Sequence, residues 1–588
     1  MATIVVASVS GHKTATHRSD WSVEAGPVHL GLSHYLVSQG IKDFLIIARG
    51  MLAGAPAVGS AVATITAVSP QSGGLAEAKV EGPLAHALST LGIDALVLQG
   101  RAPQISGLVV KPSADGVVLE WAESLAMKDA TVWETDDAVR VDESDVILAI
   151  GQPGMNQHPG ASIVTNRGFP SAQGGLGAVM GALNVKYIAI RAGTFTRTQS
   201  ETEGRLTREY EQRIDSNPLT KSERDLPGFA LWPSPELHGY AGPGDFPATP
   251  SPGLAKFSAS GYLPWVVDDG QAACPGCPQA CLKAFSVGST DPVDGGRAHQ
   301  LGMASFAMRK DAPDEQTVIS FNSLCHKLGV EHLVAEQALR GEEALSPDTL
   351  EQALVAAFAP SAAPINSAMN LKGMVVPPFD PRGNQGLGVG YALNPTGPRY
   401  DVLEHDIDFD TAFLPPERVD RGTGFGLPEG GLPMGTLDIR RHDSLEQLWL
   451  AWSGFDALGV CEYAAPPTRE LTIEGICVLV SEHSGTPFSR ENLLRLGKVR
   501  LGLLRSANAI LGVPAVEDTL PDHFFETPIE GGMLDGVVVD RDDFQRAAEY
   551  LMESFEWKSP GLKKVGQVST AVEAAHVLAA RLMEGAQL

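Results

Sequence analysis

The chain has 588 residues, 43% of them apolar and 19% charged, an ordinary globular composition on a length that needs more than one hydrophobic core. Its 70 acidic and 44 basic residues leave a formal net charge of −26, which argues against a nucleic-acid surface built from clustered lysine and arginine. The chain has six cysteines, and three of them fall within eight residues.

The opening run MATIVVASVSGHK reads as an early strand. It lacks the basic start and leucine-rich stretch of a secretory signal, so a reducing, cytoplasmic setting is expected. Short β-type runs follow at 44–47, 95–98, 108–110, 146–148 and 187–190, divided by Gly-rich turns, which predicts a β-rich domain over 1–195. The uncharged run 50–76, with Pro56 and Pro70, predicts a buried strand pair crossing a tight turn rather than a membrane span. Residues 196–265 are polar and then rich in proline and glycine, and 239–253 reads as a long loop.

From about residue 313 the apolar period becomes helical. Val318, Phe321, Leu324 and Cys325 share one face of a predicted helix over 315–327. Further helices are expected at 331–340, 445–452, 490–509, 541–555 and 571–584, broken by a Gly/Pro-rich loop from 376 to 433. The back half is therefore read as mainly helical, in two units, 196–400 and 401–588. The class is α+β.

Cys274, Cys277 and Cys281 lie in CPGCPQAC, a C-x2-C-x3-C spacing. Pro275 and Pro278 stiffen the loop and remove N–H donors, while neighbouring amides are left to point at sulfur. The spacing favours an iron–sulfur cluster over zinc, whose sites more often use separated C-x2-C pairs, and over unliganded loop thiols. An all-cysteine cluster needs a fourth thiolate. Cys325 sits in a helical pattern, Cys477 in a buried strand or helix, and Cys461 just beyond the helix-breaking Gly459. Irregular backbone makes Cys461 the best placed to turn, but pattern alone leaves the choice open.

These motifs resemble those of the aldehyde ferredoxin oxidoreductase family, the tungsten–pterin enzymes, over about residues 30 to 535. CPGCPQAC matches that family's triad, and Asp456-Ala457-Leu458-Gly459-Val460-Cys461 matches its D-x-x-G-L-C. His326-Lys327-Leu328-Gly329-Val330-Glu331 stands where the family has D-x-x-G-L-D. The Gly174–Gly181 run, Asp380-Pro381-Arg382-Gly383, Asp518-Thr519-Leu520-Pro521 and the 44–70 stretch are also similar.

The resemblance implies an N-terminal β-rich, pterin-cradling domain followed by two mainly helical domains. It implies a [4Fe-4S] cluster on Cys274, Cys277, Cys281 and Cys461, beside a tungsten (or molybdenum) bis-pyranopterin with magnesium bridging its phosphates. Cofactor contacts are then expected at Gly82, Gln173, Gly174, Gly175, His326, Gly329, Val330, Arg382, Asp456, Gly459 and Val460. The implied activity is oxidation of an aldehyde-like substrate with water, or the reverse, with electrons passing through the cluster to a ferredoxin-like acceptor. The implied assembly is a homo-oligomer or a larger redox complex.

The chain departs from the family where the cofactor would bind. The family's N-S-G-G becomes Lys79-Val80-Glu81-Gly82, its G-R before G-G becomes Ala172-Gln173, and an arginine is replaced near Ala61. The family's metal-adjacent glutamate falls at His299 and its histidine near Tyr400, which makes these two the candidate acid–base pair. Their plainer readings are a solvated loop histidine and a packing tyrosine. Lys79, Arg297, Arg382 and Arg399 are candidate replacements for the lost phosphate ligands. Three functions follow: a tungsten oxidoreductase with an altered pocket, a pterin-poor member acting as an electron-transfer or scaffold subunit, and a zinc-stapled binding protein.

Overall fold

The computed structural model of the chain describes residues 1–114, 116–227, 238–267, 273–288, 294–342, 344–362, 365, 367–514, 518–557 and 567–586. Two six-stranded sheets lie within residues 2–190. The first contains β1 (Ala2–Ser8), β2 (Lys13–Ser19), β3 (Phe44–Arg49), β4 (Val62–Val68), β5 (Leu75–Glu81) and β6 (Ala95–Gln99), in the order β2-β1-β6-β3-β4-β5. The second contains β7 (Ser106–Ser113), β8 (Gly116–Glu123), β9 (Val146–Ala149), β10 (Val164–Thr165), β11 (Phe169–Pro170) and β12 (Val185–Ile190), in the order β11-β10-β9-β12-β7-β8. A small third sheet pairs β13 (Val266–Val267), β14 (Ala284–Phe285) and β15 (Gly296–Arg297).

Strand alternation explains the layering. Val5, Ala7, Leu45, Ile47, Leu96 and Leu98 face the second sheet and pack with its Leu108, Leu148 and Ile188. Their sequence neighbours Ile4, Val6, Phe44, Ile46 and Val97 face the other way. That outer face is covered by the helices Val28–Ser38, Arg490–Leu511 and Gln567–Gly585, through Leu36, Leu503, Ala575 and Leu582. The carboxyl-terminal part of the chain thus returns to the first sheet. Sheets at the start and helices thereafter give the α+β architecture that the sequence predicts.

Helices stand where the apolar period places them: Glu315–Leu328, His332–Ala338, His442–Leu458, Arg490–Leu511, Arg541–Ser554 and Gln567–Gly585. Three details differ. The 50–76 run forms its strand pair, but a twelve-residue connection, 50–61, rather than a tight turn joins β3 to β4, because this segment packs over the end of the helix His442–Leu458. The 196–265 region contains the helices Glu201–Ile214 and Pro218–Asp225, the first started by a Ser200/Glu203 capping box. The 376–433 region contains a buried helix, Gln385–Leu393, concealed in sequence by three poor helix formers, Gly386, Gly388 and Gly390. A Cβ at Gly390 would lie 2.7 Å from Val402 Cγ2, so packing requires what propensity disfavours. Cys477 lies on the helix Ile473–Ser484. Among the described residues no helix is long and apolar enough to cross a membrane.

One strand orients the rest of the site. Along β5, Ala76, Ala78 and Val80 point into the core between the sheets, so Glu77, Lys79 and Glu81 share the opposite face.

Candidate iron–sulfur site and its cavity

The loop 273–283 folds back on itself, with Cys277 N–H donating to the Cys274 carbonyl at 3.2 Å. Gly276 and Ala280 adopt positive φ values of 74° and 47°, which curls the backbone around the thiols. Cys461 comes from a different part of the chain. The helix His442–Leu458 ends at Gly459, whose φ of 77° and ψ of 38° are left-handed. Gly459 N–H donates to the Asp456 carbonyl and Val460 N–H to the Phe455 carbonyl, and the chain then turns so that Cys461 N–H reaches Gly59 O at 2.8 Å.

Cys274, Cys277, Cys281 and Cys461 line one cavity, which encloses about 1350 Å³ of empty space, solvent at its mouth included. Cys325 and Cys477 do not line it: Cys325 is fully buried in its helix, and Cys477 packs with the helical core. The structure therefore brings Cys461, and neither of the other two, to the triad.

The thiols sit in a setting that calls for positive charge. Burial first, and then Cys277, raises the Cys274 thiol above its ordinary range, while backbone N–H of Gly82 opposes the rise. Burial raises Cys277 despite N–H donors at Gln279, Gly59 and Ala280. Cys281 and Cys461 are pushed well above the usual thiol value by burial and by each other's neighbours. Metal coordination deprotonates such thiols outright. Among the described residues no three His, Cys, Asp or Glu side chains close around a single ion. A tetrahedral zinc with bonds of about 2.3 Å would draw four sulfurs within about 4 Å of one another. Four thiols lining one cavity are the donor set that a [4Fe-4S] cluster would use.

Beside the thiols lies a buried charge network. Lys79 Nζ is 2.6 Å from Asp401 Oδ2, 2.6 Å from Asp456 Oδ1 and 3.4 Å from Glu462 Oε2. Arg399 pairs with Asp401 at 2.6 Å and with Asp456 at 3.3 Å. Arg500 pairs with Asp456 at 3.0 Å and with Glu77, which also takes His29 Nε2 at 2.8 Å. Burial alone would discharge Lys79, but Asp401, Asp456 and Glu462 outweigh it and raise its pKa. Glu81 is pushed up to about 7, first by burial and then by Glu462.

His299 and Tyr400 both line the cavity. His299 caps the helix Gln300–Ala307, its Nδ1 accepting Gly302 N–H at 3.1 Å, and it stacks on His332 with ring centroids 4.1 Å apart. Burial lowers its pKa to about 4. It is therefore no solvated loop histidine. Tyr400 donates its hydroxyl to Glu462 Oε1 at 2.7 Å, and burial holds the phenol well above its usual value.

The residues expected to hold a pterin are placed as follows. Gln173 lines the cavity, but its amide donates to the Pro398 carbonyl at 2.9 Å. Gly82, at φ 93°, packs against the Phe169 ring and gives its N–H to Cys274. Gly174 lies against Ala76, and Gly175 N–H is taken by the buried carboxyl of Glu331 at 2.6 Å. His326 is buried, pushed down to about 3 by burial and then by His299. Gly329 and Val330 terminate the helix Glu315–Leu328, as Gly459 and Val460 do for theirs. Arg382 lies outside the cavity lining, held by Asp380 and by the carbonyls of Phe246, Pro247 and Thr527. Arg297 lines an outer groove, its guanidinium 5.5 Å over the Phe169 ring.

This donor set does not fit an anionic pair of phosphorylated pterins. Both cations that line the cavity, Lys79 and Arg399, are already paired with carboxylates. Lys79, Arg399 and Arg500, with His29 on Glu77, face Glu77, Asp401, Asp456 and Glu462, so these cations are already matched by acids. The sequence reading missed Glu77, Asp401, Glu462, Arg500 and Glu331. The usable signal was the charged i, i+2, i+4 row of β5.

Comparisons place these observations among known proteins. The family model described as aldehyde ferredoxin oxidoreductase, N-terminal domain, matches residues 37–192, and that described as aldehyde ferredoxin oxidoreductase, domains 2 and 3, matches residues 359–567. The tungsten-containing aldehyde ferredoxin oxidoreductase of Pyrococcus furiosus is 23% identical over 563 residues, with 85% of each chain covered. That of Pyrococcus horikoshii is 22% identical over 573 residues, again with 85% of each covered. The active-site complex BamBC of benzoyl-coenzyme A reductase, solved with 1,5-dienoyl-CoA, shares the fold at a TM-score of 0.73 and 16% identity, over 99% of this chain and 98% of that one.

Proposed function

The chain belongs to the aldehyde ferredoxin oxidoreductase family, and we propose that within it the chain is an electron-transfer component whose working group is a [4Fe-4S] cluster on Cys274, Cys277, Cys281 and Cys461. The observation that carries this is the arrival of Cys461 at the cavity of the triad from 180 positions beyond Cys281, while Cys325 and Cys477 stay outside. When bound, such a cluster stores and releases single electrons. The chain's own part is to tune it. The N–H groups of Gly82, Gly59, Gln279 and Ala280 donate towards sulfur, which favours the added negative charge. Glu81 and Glu462 oppose it.

A redox assembly is the setting that suits this role. A fold neighbour is named as the active-site complex of a reductase, which supports membership of a multi-subunit complex. The acceptor in this reading is a ferredoxin-like protein or a partner subunit.

A second reading, oxidation of an aldehyde-class substrate in this cavity, draws on His299 and Tyr400, which both face it. It is the weaker of the two. His299 Nδ1 is committed to Gly302, Tyr400 gives its proton to Glu462, and the donor set does not fit the family's metal-bearing group.

Anaerobic purification with iron and sulfide analysis tests the proposal. About four irons per chain and a paramagnetic signal on reduction are expected. A colourless protein with one zinc per chain would sink it.

A further inference from the structure

We propose that the ion-pair lattice centred on Lys79 stands in for the pterin pair, joining the sheets to both helical parts so that this chain folds and holds its cluster without that group. The inference rests on the cluster reading above. Its members come from β5 and from residues 399–500. Glu77 and Lys79 lie on β5, Arg399 and Asp401 on the coil after the helix Gln385–Leu393, Asp456 on the helix that ends before Cys461, and Arg500 on the helix over the first sheet.

These side chains are at most 10% exposed, so the lattice is buried where the parts meet, and Glu77, Lys79, Arg399 and Asp401 stand on the wall of the cavity. Phosphates entering here would add negative charge to a buried site whose cations are already matched by acids, and would have to strip a carboxylate from each cation they used. At the matching loop the Gly175 N–H is already taken by Glu331 and the Gln173 side-chain amide donates to the Pro398 carbonyl. The substitutions point the same way. Glu81 and Ala61 stand at positions where the resembled family places an uncharged polar loop and an arginine. What replaces the guest is a set of charges the chain itself supplies, paired before any ligand arrives.

The test is purification of the full chain from two hosts, one making pyranopterin and fed tungstate, the other unable to make pterin. The expected result is no pterin fluorescence, no tungsten or molybdenum, and melting temperatures within about 2 °C of each other. Stoichiometric pterin with tungsten or molybdenum from the first host overturns the inference, whatever the iron content. So does folding confined to that host. A Lys79→Met variant adds a second arm. A large fall in melting temperature in both preparations, or insolubility while Lys79→Arg stays soluble, supports the lattice; unchanged melting overturns it. Iron analysis of the same samples reads the cluster separately, so loss of iron with pterin-independent melting sinks only the proposed function.

Discussion

Arg500 and Glu77 form an ion pair in which each side chain is 3% exposed, with Arg500 Nε donating to Glu77 Oε1 at 3.3 Å across 423 positions of sequence. It ties the helix over the first sheet to the polar face of β5.

Truncating one partner leaves the other charged and buried. Arg500→Met is therefore expected to lower the unfolding free energy by about 3–5 kcal/mol, and Arg500→Met with Glu77→Leu to recover part of that loss. Urea titration of the three proteins checks it. Burial alone would raise the Glu77 pKa, but Arg500 and His29 outweigh it and hold it well below the carboxylate range. A depressed folded pKa gives stability that is present above the unfolded value and lost as pH falls through the folded one. The fall in wild-type stability below about pH 4.5 should consequently be shallower in the double variant.

Glu331 predicts the opposite pH dependence. Burial pushes its pKa up to about 8, against the lowering effects of Gln71 and the Gly175 N–H. Between its unfolded value of about 4.5 and 8 the folded state holds a proton that the unfolded state has released. Stability must then fall as pH rises through that window, on the order of 1 kcal/mol per unit from this group. Glu331→Gln retains an oxygen for Gly175 and cannot ionise. Unfolding curves at pH 5, 6.5 and 8 should show a flatter profile for the variant; parallel profiles would remove Glu331 from the account.

Much of the architecture was legible because it rests on period. Short apolar β-type runs at 44–47 and 95–98 and helical spacing at 315–327 place residues that the core then uses. The helix Gln385–Leu393 was hidden because its glycines answer to neighbours that sequence does not display, Val402 and Asp406. The site was legible in part. CPGCPQAC announces itself by spacing, whereas the Lys79 lattice is assembled from residues hundreds of positions apart and has no local pattern beyond the row of charges on β5. Arg382 shows the reverse case: a motif arginine whose guanidinium is consumed in holding Asp380 and three carbonyls.

Gly459 links helix end to cluster. A Cβ there would lie 2.6 Å from Ala53 Cβ, and the left-handed φ costs an L-residue roughly 1–2 kcal/mol. Gly459→Ala should lower the melting temperature by several degrees and also reduce bound iron, because relief of the clash moves Cys461 away from Gly59. A variant that melts early with full iron content would separate the turn from the cluster.

The cysteines allow the sharpest discrimination. Cys325 and Cys461 are both thiols whose pKa is raised by burial, so that shift does not separate them. Position does. Cys461 lies beyond a left-handed helix stop and lines the cavity, while Cys325 remains on its helix within the apolar core. Cys461→Ser should strip most of the iron and the visible absorption, because a serine oxygen is a poor ligand for a cluster held by thiolates. Cys325→Ser places a hydroxyl in an apolar site and should cost about 1–3 kcal/mol of stability with iron content unchanged. Cys477→Ser, on a helix whose neighbouring hydroxyls already bond its backbone, should change neither by much. Iron analysis and thermal melting of the three variants, side by side, give a pattern that only a fourth ligand at Cys461 produces. Equal iron loss at Cys325 would move the cluster's fourth corner into the helical core, where the cavity does not reach.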